Sequence, residues 1–451
     1  MKNFTIHPLL KEIADIFISR GKQIFLVGGA VRDTLRGQES HDWDIATDAV
    51  PEEVIGMFSK VIPTGIKHGT VTVRYKGYSL EATTFRTESD YRDGRRPDKV
   101  DYAATIEEDL SRRDFTMNAI AVSLPDGVMV DPFDGTGDIR RGIIRCVGNP
   151  AERFGEDGLR PLRAVRFAAQ LGFDIEETTL AAIKPSLHIT EKVSVERIRD
   201  EIDRMLASPK PSRAFRLMEE TGLLKLLLPE LARCRDVDQK GFHYFDALDH
   251  ALVACDFAAQ ENASPIVRLA ALFHDIGKVD TRTQDADGNW TFYRHEQVSA
   301  DLSRNILLRF RYPNAVIDTV VHLVREHMFH YEEIWTDAAV RRFVIRVGEE
   351  HLVDLYRLRR ADAYATSGIP LPRDFLVPLI RRVNGVLSYD RAFSIKDLRI
   401  DGNDLMSIGV KSGPYMGIIL KELLESVVED PELNTKEKLL EIAGNLNKRY
   451  G

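Results

Sequence analysis

Cysteine is scarce in this 451-residue sequence: there are three, Cys146, Cys234 and Cys255, an odd number without C-x-x-C spacing. That argues against a disulfide framework and against a thiolate zinc site, and it fits a reducing cytoplasm. Long apolar runs are also missing; nowhere do eighteen consecutive apolar residues occur, so no segment is expected to span a membrane. The opening stretch MKNFTIHPLLKEIADIFISRGKQ interrupts its apolar positions with His7, Lys11, Glu12 and Asp15, unlike the core of a signal peptide. Positive charge is not in excess either, since 62 Lys plus Arg stand against 70 Asp plus Glu and leave −8. With no global attraction to a polyanion, any nucleic-acid site has to be a local patch. No fixed-period repeat and no low-complexity tract is visible. What remains is a globular composition, 43% hydrophobic and 29% charged. At about 150 residues per domain it makes roughly three domains, each able to bury a core.

Leu9, Leu10, Ile13, Ile16 and Phe17 recur at helical spacing, which predicts a first helix ending near Gly21. A short apolar strand, Ile24 to Val27, follows, then Gly28 and Gly29, a helix-compatible stretch, the segment Trp43 to Ala46, and β-branched runs around Val71 to Val73 and Leu80 to Phe85. This is a mixed α/β head. From about residue 150 strand signals fade and helical segments continue to the end, broken at Pro209, Pro229, Pro265, Pro313 and Pro370. The stretch from Arg86 to Asp101 is dense in charge and carries Gly94 and Pro97, as expected of a mobile loop.

Asp42 and Asp44 flank Trp43, and period-two geometry places both carboxylates on one face of a strand. Like charges held so close repel unless a divalent cation sits between them, and a metal pair is a standard means of activating a hydroxyl against a phosphate. Glu81, on a neighbouring predicted strand, is the candidate third carboxylate. Gly28 and Gly29 end a buried strand and open a helix, so backbone N–H groups can approach a triphosphate, with Arg32 one helical turn on. Either feature alone is more often an ordinary turn or a solvated strand edge. In this order and about a dozen residues apart, the two point to a nucleotide site.

GGAVRD at 28 to 33 and HDWDIAT at 41 to 47 resemble the signature of the nucleotidyltransferase superfamily, specifically the class II CCA-adding enzymes and bacterial poly(A) polymerases. KHGTVTV at 67 to 73, LEATTFR at 80 to 86, SRRDFTMNAIA at 111 to 121, DPFDG at 131 to 135 and ERFGEDGLRPLRAVRF at 152 to 167 follow in the family's order. Between Arg140 and Arg166 seven arginines face three acids, Glu152, Glu156 and Asp157, which makes this stretch the local basic patch. A charge run alone reads as a solvated helix face. The resemblance implies instead that Asp157 and Arg160 read the incoming base. Cytosine and adenine each present an exocyclic amine beside a ring-nitrogen acceptor, which a carboxylate and a guanidinium complement, whereas guanine and uracil present the opposite pattern. It further implies that Arg113, Arg163 and Arg166 contact the nucleotide or neighbouring phosphate. Gly158 and Pro161 are poor interior helix residues, so the helix carrying Arg160 is expected to start near Asp157. The loop TESDYRDGRRPDKV resembles the one that family members need for adding the terminal A.

His250, His274, Asp275, His295, His327 and Asp362 lie in the helical region, with FHDIGK at 273 to 278 and RHEQVSA at 294 to 300, and resemble the HD phosphohydrolase superfamily. His250, His274, Asp275 and Asp362 suit an octahedral divalent cation. His295 and His327 are candidates for a second metal or for a phosphate. A single helical histidine is usually structural; six in family order are not. Residues 402 to 434 resemble the family's tail, which holds the acceptor–T arm of tRNA by shape and phosphates.

The expectation is therefore an α+β chain. A polymerase-beta-like nucleotidyltransferase head with a mixed sheet and helices (1 to 140) precedes an all-α remainder. That remainder comprises a neck with the base-selecting template (141 to 205), a body (206 to 390) with an HD domain over about 245 to 365, and a tRNA-binding tail (391 to 451). The expected activity is addition of CCA to tRNA from CTP and ATP with Mg2+ in the head, and a further divalent metal (Mg, Mn, Fe or Ni) in the HD domain. No membrane is involved, and oligomeric state is not legible. An A-adding enzyme or poly(A) polymerase is the same-class alternative; an HD-type phosphohydrolase acting on 2′,3′-cyclic or terminal phosphates is the other-class one. A pure tRNA chaperone is disfavoured by the intact Asp42, Asp44, Asp157 and Arg160.

Overall fold

The computed structural model describes residues 4–40, 42–89, 99–239, 245–367, 369, 374–389 and 394–450. The chain forms two compact units, one of residues 1–232 with 309–311, the other of 233–308 with 312–451.

Among the described residues, the first part of unit one holds nine strands: β1 (Ile24–Val27), β2 (Trp43–Thr47), β3 (Val61–Gly65), β4 (Thr70–Tyr75), β5 (Tyr78–Thr84), β6 (Arg86–Ser89), β7 (Lys99–Tyr102), β8 (Ala121–Ser123) and β9 (Met129–Val130). Seven of them make one sheet in the order β3-β4-β5-β2-β1-β8-β9. Only the β2–β5 pairing is parallel, and the other neighbours are antiparallel, which makes the sheet mixed. The all-apolar β1 is fully buried because it runs through the sheet's middle. The helix Pro8–Ile18 packs its apolar stripe, Leu9, Leu10, Ile13 and Phe17, inward. It ends at Ile18, three residues before Gly21, which takes a positive φ.

The charged stretch after β5 is more ordered at its ends than a loop: β6 and β7 pair as an antiparallel ribbon, Arg86 opposite Tyr102. Its centre, 90–98, lies outside the described residues. Beyond residue 150 the fold is mainly helical, but not all-α as expected: Asp174–Ile175 pairs in parallel with Ile143–Ile144, and Thr283–Gln284 pairs with Trp290–Thr291 as a short antiparallel ribbon. The helix Pro150–Glu156 ends before an extended Asp157, and the next helix begins at Arg160 with Pro161 in its first turn, where a missing N–H costs nothing. The helix thus starts three residues later than expected from the sequence, and Asp157 sits in the connecting turn. A Cβ on Gly158 would lie 2.5 Å from the Ile189 carbonyl oxygen, so only glycine fits that turn.

In unit two, the helices Ala247–Gln260, Pro265–Phe273, Asn314–Glu326 and Leu352–Ser367 pack around a core including Leu248, Leu272, Phe273, Val320 and Leu358. A separate apolar cluster, with Leu405, Ile419, Leu423 and Leu439 at its centre, holds the C-terminal helices together. Among the described residues no helix is long and apolar enough to cross a membrane. All three cysteines are free and buried, and burial pushes the Cys146 and Cys234 thiols up to about 12.

Candidate functional site

Sheet register assembles the first site. In β2, Asp44 lies opposite Val27 of β1 and beside Glu81 of β5, so two carboxylates from distant segments share one face. Asp42 is exposed and sits just ahead of β2 rather than within it, because the strand begins at Trp43. Burial, with the neighbouring charges of Glu81 and Asp42, pushes Asp44 up to about 6 despite the opposing guanidinium of Arg113. A partly buried carboxylate with two acidic neighbours is a donor set short of positive charge, and three carboxylate oxygens suit a hard divalent cation.

The glycine turn stands over this cluster. Gly28 has a φ of +71°, and a Cβ there would lie 3.2 Å from Asp44 Oδ2, so a side chain would be both strained and crowded against the carboxylate. Arg32, on the helix Gly29–Leu35, is buried and already fixed: Nε and Nη2 donate to Asp33 at 2.9 Å each, and Nη1 donates to Asn118 Oδ1 at 2.8 Å. Arg113 donates to Asp109 at 3.2 Å. Burial alone would raise Asp109, but Arg112 and Arg113 hold it below the usual carboxylate range.

The arginines of the 160–166 helix converge on the same cavity, of about 560 Å³. Three guanidiniums, those of Arg32, Arg163 and Arg166, surround the ring of Phe167 at 5.3, 5.5 and 3.8 Å. Each has a buried acid or amide behind it. Arg163 Nε donates to Asp114 Oδ2 at 2.7 Å. Burial works against Asp114's charge, yet Arg163 and Asn118 bring its pKa down to about 2. Arg166 Nε donates to Glu201 at 2.5 Å, and burial, only partly offset by Glu201, lowers Arg166 to about 10. Arg160 is buried and donates to the carbonyl oxygens of Arg153 (2.8 Å) and Arg112 (3.0 Å) and to Glu156. Asp157 accepts from the Leu159 amide at 3.0 Å and from Arg197 at 2.8 Å.

The structure therefore brings Gly28, Gly29, Arg32, Asp44, Glu81, Arg113, Asp157, Arg160, Arg163 and Arg166 to one cavity; Asp42 is not among its lining residues, although its charge reaches Asp44. Sequence reasoning missed Asp114, Asn118, Phe167, Arg197 and Glu201. Arg197, Glu201 and Arg204 share a helical face at spacings of four and three, a signal that is readable but not distinguishable from a solvated helix.

A second cluster is built in unit two. His250 Nε2 and His274 Nε2 lie 3.1 Å apart, and His250 Nε2 is 3.2 Å from Asp362 Oδ1. Asp275 divides its oxygens: Oδ2 is 3.3 Å from both His250 and His274, and Oδ1 is 3.1 Å from His295 and 3.7 Å from His327. Two groups of ligand atoms, His250–His274–Asp275–Asp362 and Asp275–His295–His327, each fall within 4.8 Å. The Nδ1 atoms of His274, His295 and His327 meet the carbonyl oxygens of Ala271, Phe292 and Val324 at 2.8, 2.8 and 2.6 Å. A carbonyl only accepts, so each Nδ1 carries a proton, and each Nε2 is the ring nitrogen turned toward the cluster. Buried His295 Nε2 and Asp275 Oδ1 face each other at 3.1 Å, an approach without good hydrogen-bond geometry. Burial disfavours a charged His274, but Asp275 and Asp362 lift it to about 10, so the cluster attracts a cation even as a bare proton. Lys278, the last residue of FHDIGK and given no role from the sequence, donates to Asp275 Oδ2 at 2.7 Å and to Gln239 at 2.5 Å.

Comparison with known proteins decides the family. A family model described as the poly A polymerase head domain matches residues 24–145, one described as an RNA and SrmB-binding site of polymerase A matches 172–234, and a tRNA nucleotidyltransferase domain 2 matches 282–443. A CCA-adding enzyme of Lactobacillus johnsonii is 36% identical over 444 residues, covering 96% of this chain and 95% of that one. The chain belongs to the CCA-adding enzyme family. A further CCA-adding enzyme, from Limosilactobacillus fermentum, is 35% identical over 98% of this chain and 96% of its own. The crystal structure of the Bacillus stearothermophilus CCA-adding enzyme in complex with CTP superposes with a TM-score of 0.76 at 30% identity, covering 99% of each chain. The family and the α+β nucleotidyltransferase fold expected from the motifs are those found. Family membership also carries the use of a divalent metal.

Proposed function

We infer that this chain completes the CCA end of tRNA, transferring CMP and AMP from CTP and ATP to the terminal hydroxyl with release of pyrophosphate and without a nucleic-acid template. The observation that carries this reading is the meeting in one cavity of the Asp44–Glu81 carboxylates and the Asp157–Arg160 pair. The similar enzyme crystallised with CTP supports it. Asp42, Asp44 and Glu81 would hold Mg2+, which supplies a lowered hydroxyl pKa and charge neutralisation at the phosphates. The chain's own groups do the rest. The amides of Gly28 and Gly29 and the side chains of Arg32, Arg113, Arg163 and Arg166 bind and orient the triphosphate. Asp157 accepts from the exocyclic amine of cytosine or adenine, and Arg160 donates to the ring nitrogen. Uracil or guanine leaves these groups unpaired, at about 1–3 kcal/mol each. In this reading residues 1–140 catalyse, 141–205 select the base, 206–390 form the body, and 391–451 hold the acceptor–T arm.

The test offers the enzyme tRNAs lacking the whole CCA end, only CA, or only A, with CTP, ATP or both. Completion to CCA and no further is expected. Incorporation of A alone would assign an A-adding enzyme, and long tails a poly(A) polymerase.

Asp44 also sets a pH dependence. Its folded pKa of about 6 lies above the ordinary value, so the metal-free fold gains stability from protonated Asp44. That gain is complete below about pH 4 and is lost as pH rises through about 6. Mg2+ binds the ionised form and competes with that proton. The rise in unfolding temperature on adding Mg2+ is expected to be larger at about pH 7.5 than at about pH 5, and this difference to be nearly absent in Asp44→Asn. A Mg2+ effect independent of pH would remove Asp44 from the metal site.

A second reading rests on the convergence of buried His and Asp ligand atoms, including the 3.1 Å approach of His295 Nε2 to Asp275 Oδ1: the His–Asp cluster holds one or two divalent metals of the Mg, Mn, Fe or Ni type. The adjoining cavity of about 640 Å³, which Lys278 and Arg359 also line, fits a phosphate ester such as a 2′,3′-cyclic or terminal phosphate.

A further inference from the structure

Base selection by Asp157 and Arg160 requires that the two groups stay available to a base. They are three residues apart, oppositely charged and at the same cavity. Left alone, a carboxylate and a guanidinium so placed would pair with each other, and the edge that reads cytosine and adenine would vanish. Arg160 is anchored on the far side by Glu156 and by the carbonyl oxygens of Arg153 and Arg112. Asp157 has a different anchor, Arg197, which comes from the helix Val195–Leu206, forty residues along the chain.

We propose that Arg197 is a specificity-determining positioning residue, which holds the Asp157 carboxylate in the orientation that accepts from an exocyclic amine and keeps it from closing onto Arg160. This rests on the template reading given above. A carboxylate plane turns easily about its last torsion, and one hydrogen bond does not fix it. Here two donors on two different elements hold it: the Leu159 amide takes Oδ1 at 3.0 Å and Arg197 Nη2 takes Oδ2 at 2.8 Å. Each oxygen keeps a second lone pair, so the anchored group still accepts from a nucleobase. Arg197 is itself placed to act at this cavity, whose wall it forms together with Asp157 and Arg160, and its side chain is one-third exposed. Glu201, one turn further on the same helix, is engaged by Arg166, so that helix supplies anchors to both the base-reading and the phosphate-facing parts of the site.

The experiment measures single-nucleotide addition to tRNA lacking its CCA end, with CTP, ATP, UTP and GTP, in the full-length enzyme and in Arg197→Met, Arg197→Lys, Asp157→Ala and the double variant Arg197→Met/Asp157→Ala. In Arg197→Met the ratio of kcat/KM for CTP over UTP is expected to fall about tenfold or more, since correct nucleotides lose most. Arg197→Lys, which keeps a donor of similar reach, should restore a large part of that ratio. In the Asp157→Ala background, Arg197→Met should change the ratio by less than about twofold. Unfolding temperatures report whether each variant is folded. One common factor for all four nucleotides in both Arg197 variants would make Arg197 a phosphate contact or a support of the neck and overturn the proposal. So would an undiminished effect of Arg197→Met when Asp157 is already gone. If Asp157→Ala alone left discrimination at the wild-type level, the template reading itself would fall, an outcome visible without any Arg197 variant.

Discussion

Asp44→Ala and Asp42→Ala are each expected to abolish nucleotide addition, by about a thousandfold or more, while tRNA binding survives. The reason lies in the register of the sheet. Asp44 stands beside Glu81 on adjacent strands and is pushed up to about 6 by burial first and then by its acidic neighbours. Removing either aspartate relieves repulsion in the folded chain, so stability should hold or rise, whereas the metal loses a ligand. Catalysis and stability are therefore predicted to move in opposite directions, a combination that general misfolding does not produce. Primer-extension assays at saturating Mg2+ and tRNA gel shifts check this. A substantial addition rate in either variant at saturating Mg2+ would refute the assignment.

The second large effect concerns the buried histidines. Combined His274→Ala and Asp275→Ala is expected to lower bound transition metal at least about tenfold and to remove any phosphodiesterase activity, with addition of C and A nearly unchanged. Asp275 is the one residue shared by both groups of ligand atoms, and its two oxygens face different histidines. Its loss therefore empties both groups. Because these positions are buried, His295→Gln provides a milder companion that removes one ligand atom from the second group only. Metal content by elemental analysis and hydrolysis of a 2′,3′-cyclic nucleotide are the readouts. Parallel loss of CCA addition in a folded variant would instead give this region a part in holding tRNA. Unchanged metal content in the double variant would refute the cluster as a metal site.

Local patterns in the sequence determined the polymerisation chemistry. Gly28-Gly29 ending a buried strand and Asp-x-Asp opening the next are short-range features, because a strand's two-residue period and a glycine's positive φ are properties of a few adjacent residues. The same holds for His274-Asp275 and for the turn between Glu156 and Arg160, where Gly158 and Pro161 already mark a helix boundary. Tertiary structure decided the partners of these groups. Glu81 is legible as a third carboxylate on a neighbouring strand, but not its exact register beside Asp44, and nothing in the chain's order announces that Asp114 fixes Arg163 from 49 residues away or Glu201 fixes Arg166 from 35. Arg197 and Asp157 meet across 40 residues, and the two oxygens of Asp275 are shared between histidines on separate helices. Charge complementarity has no periodicity along a sequence. A carboxylate's partner depends on which elements pack together, and so do the pKa values of Asp44 and Asp114, because burial and neighbouring charge exist only once the chain has folded.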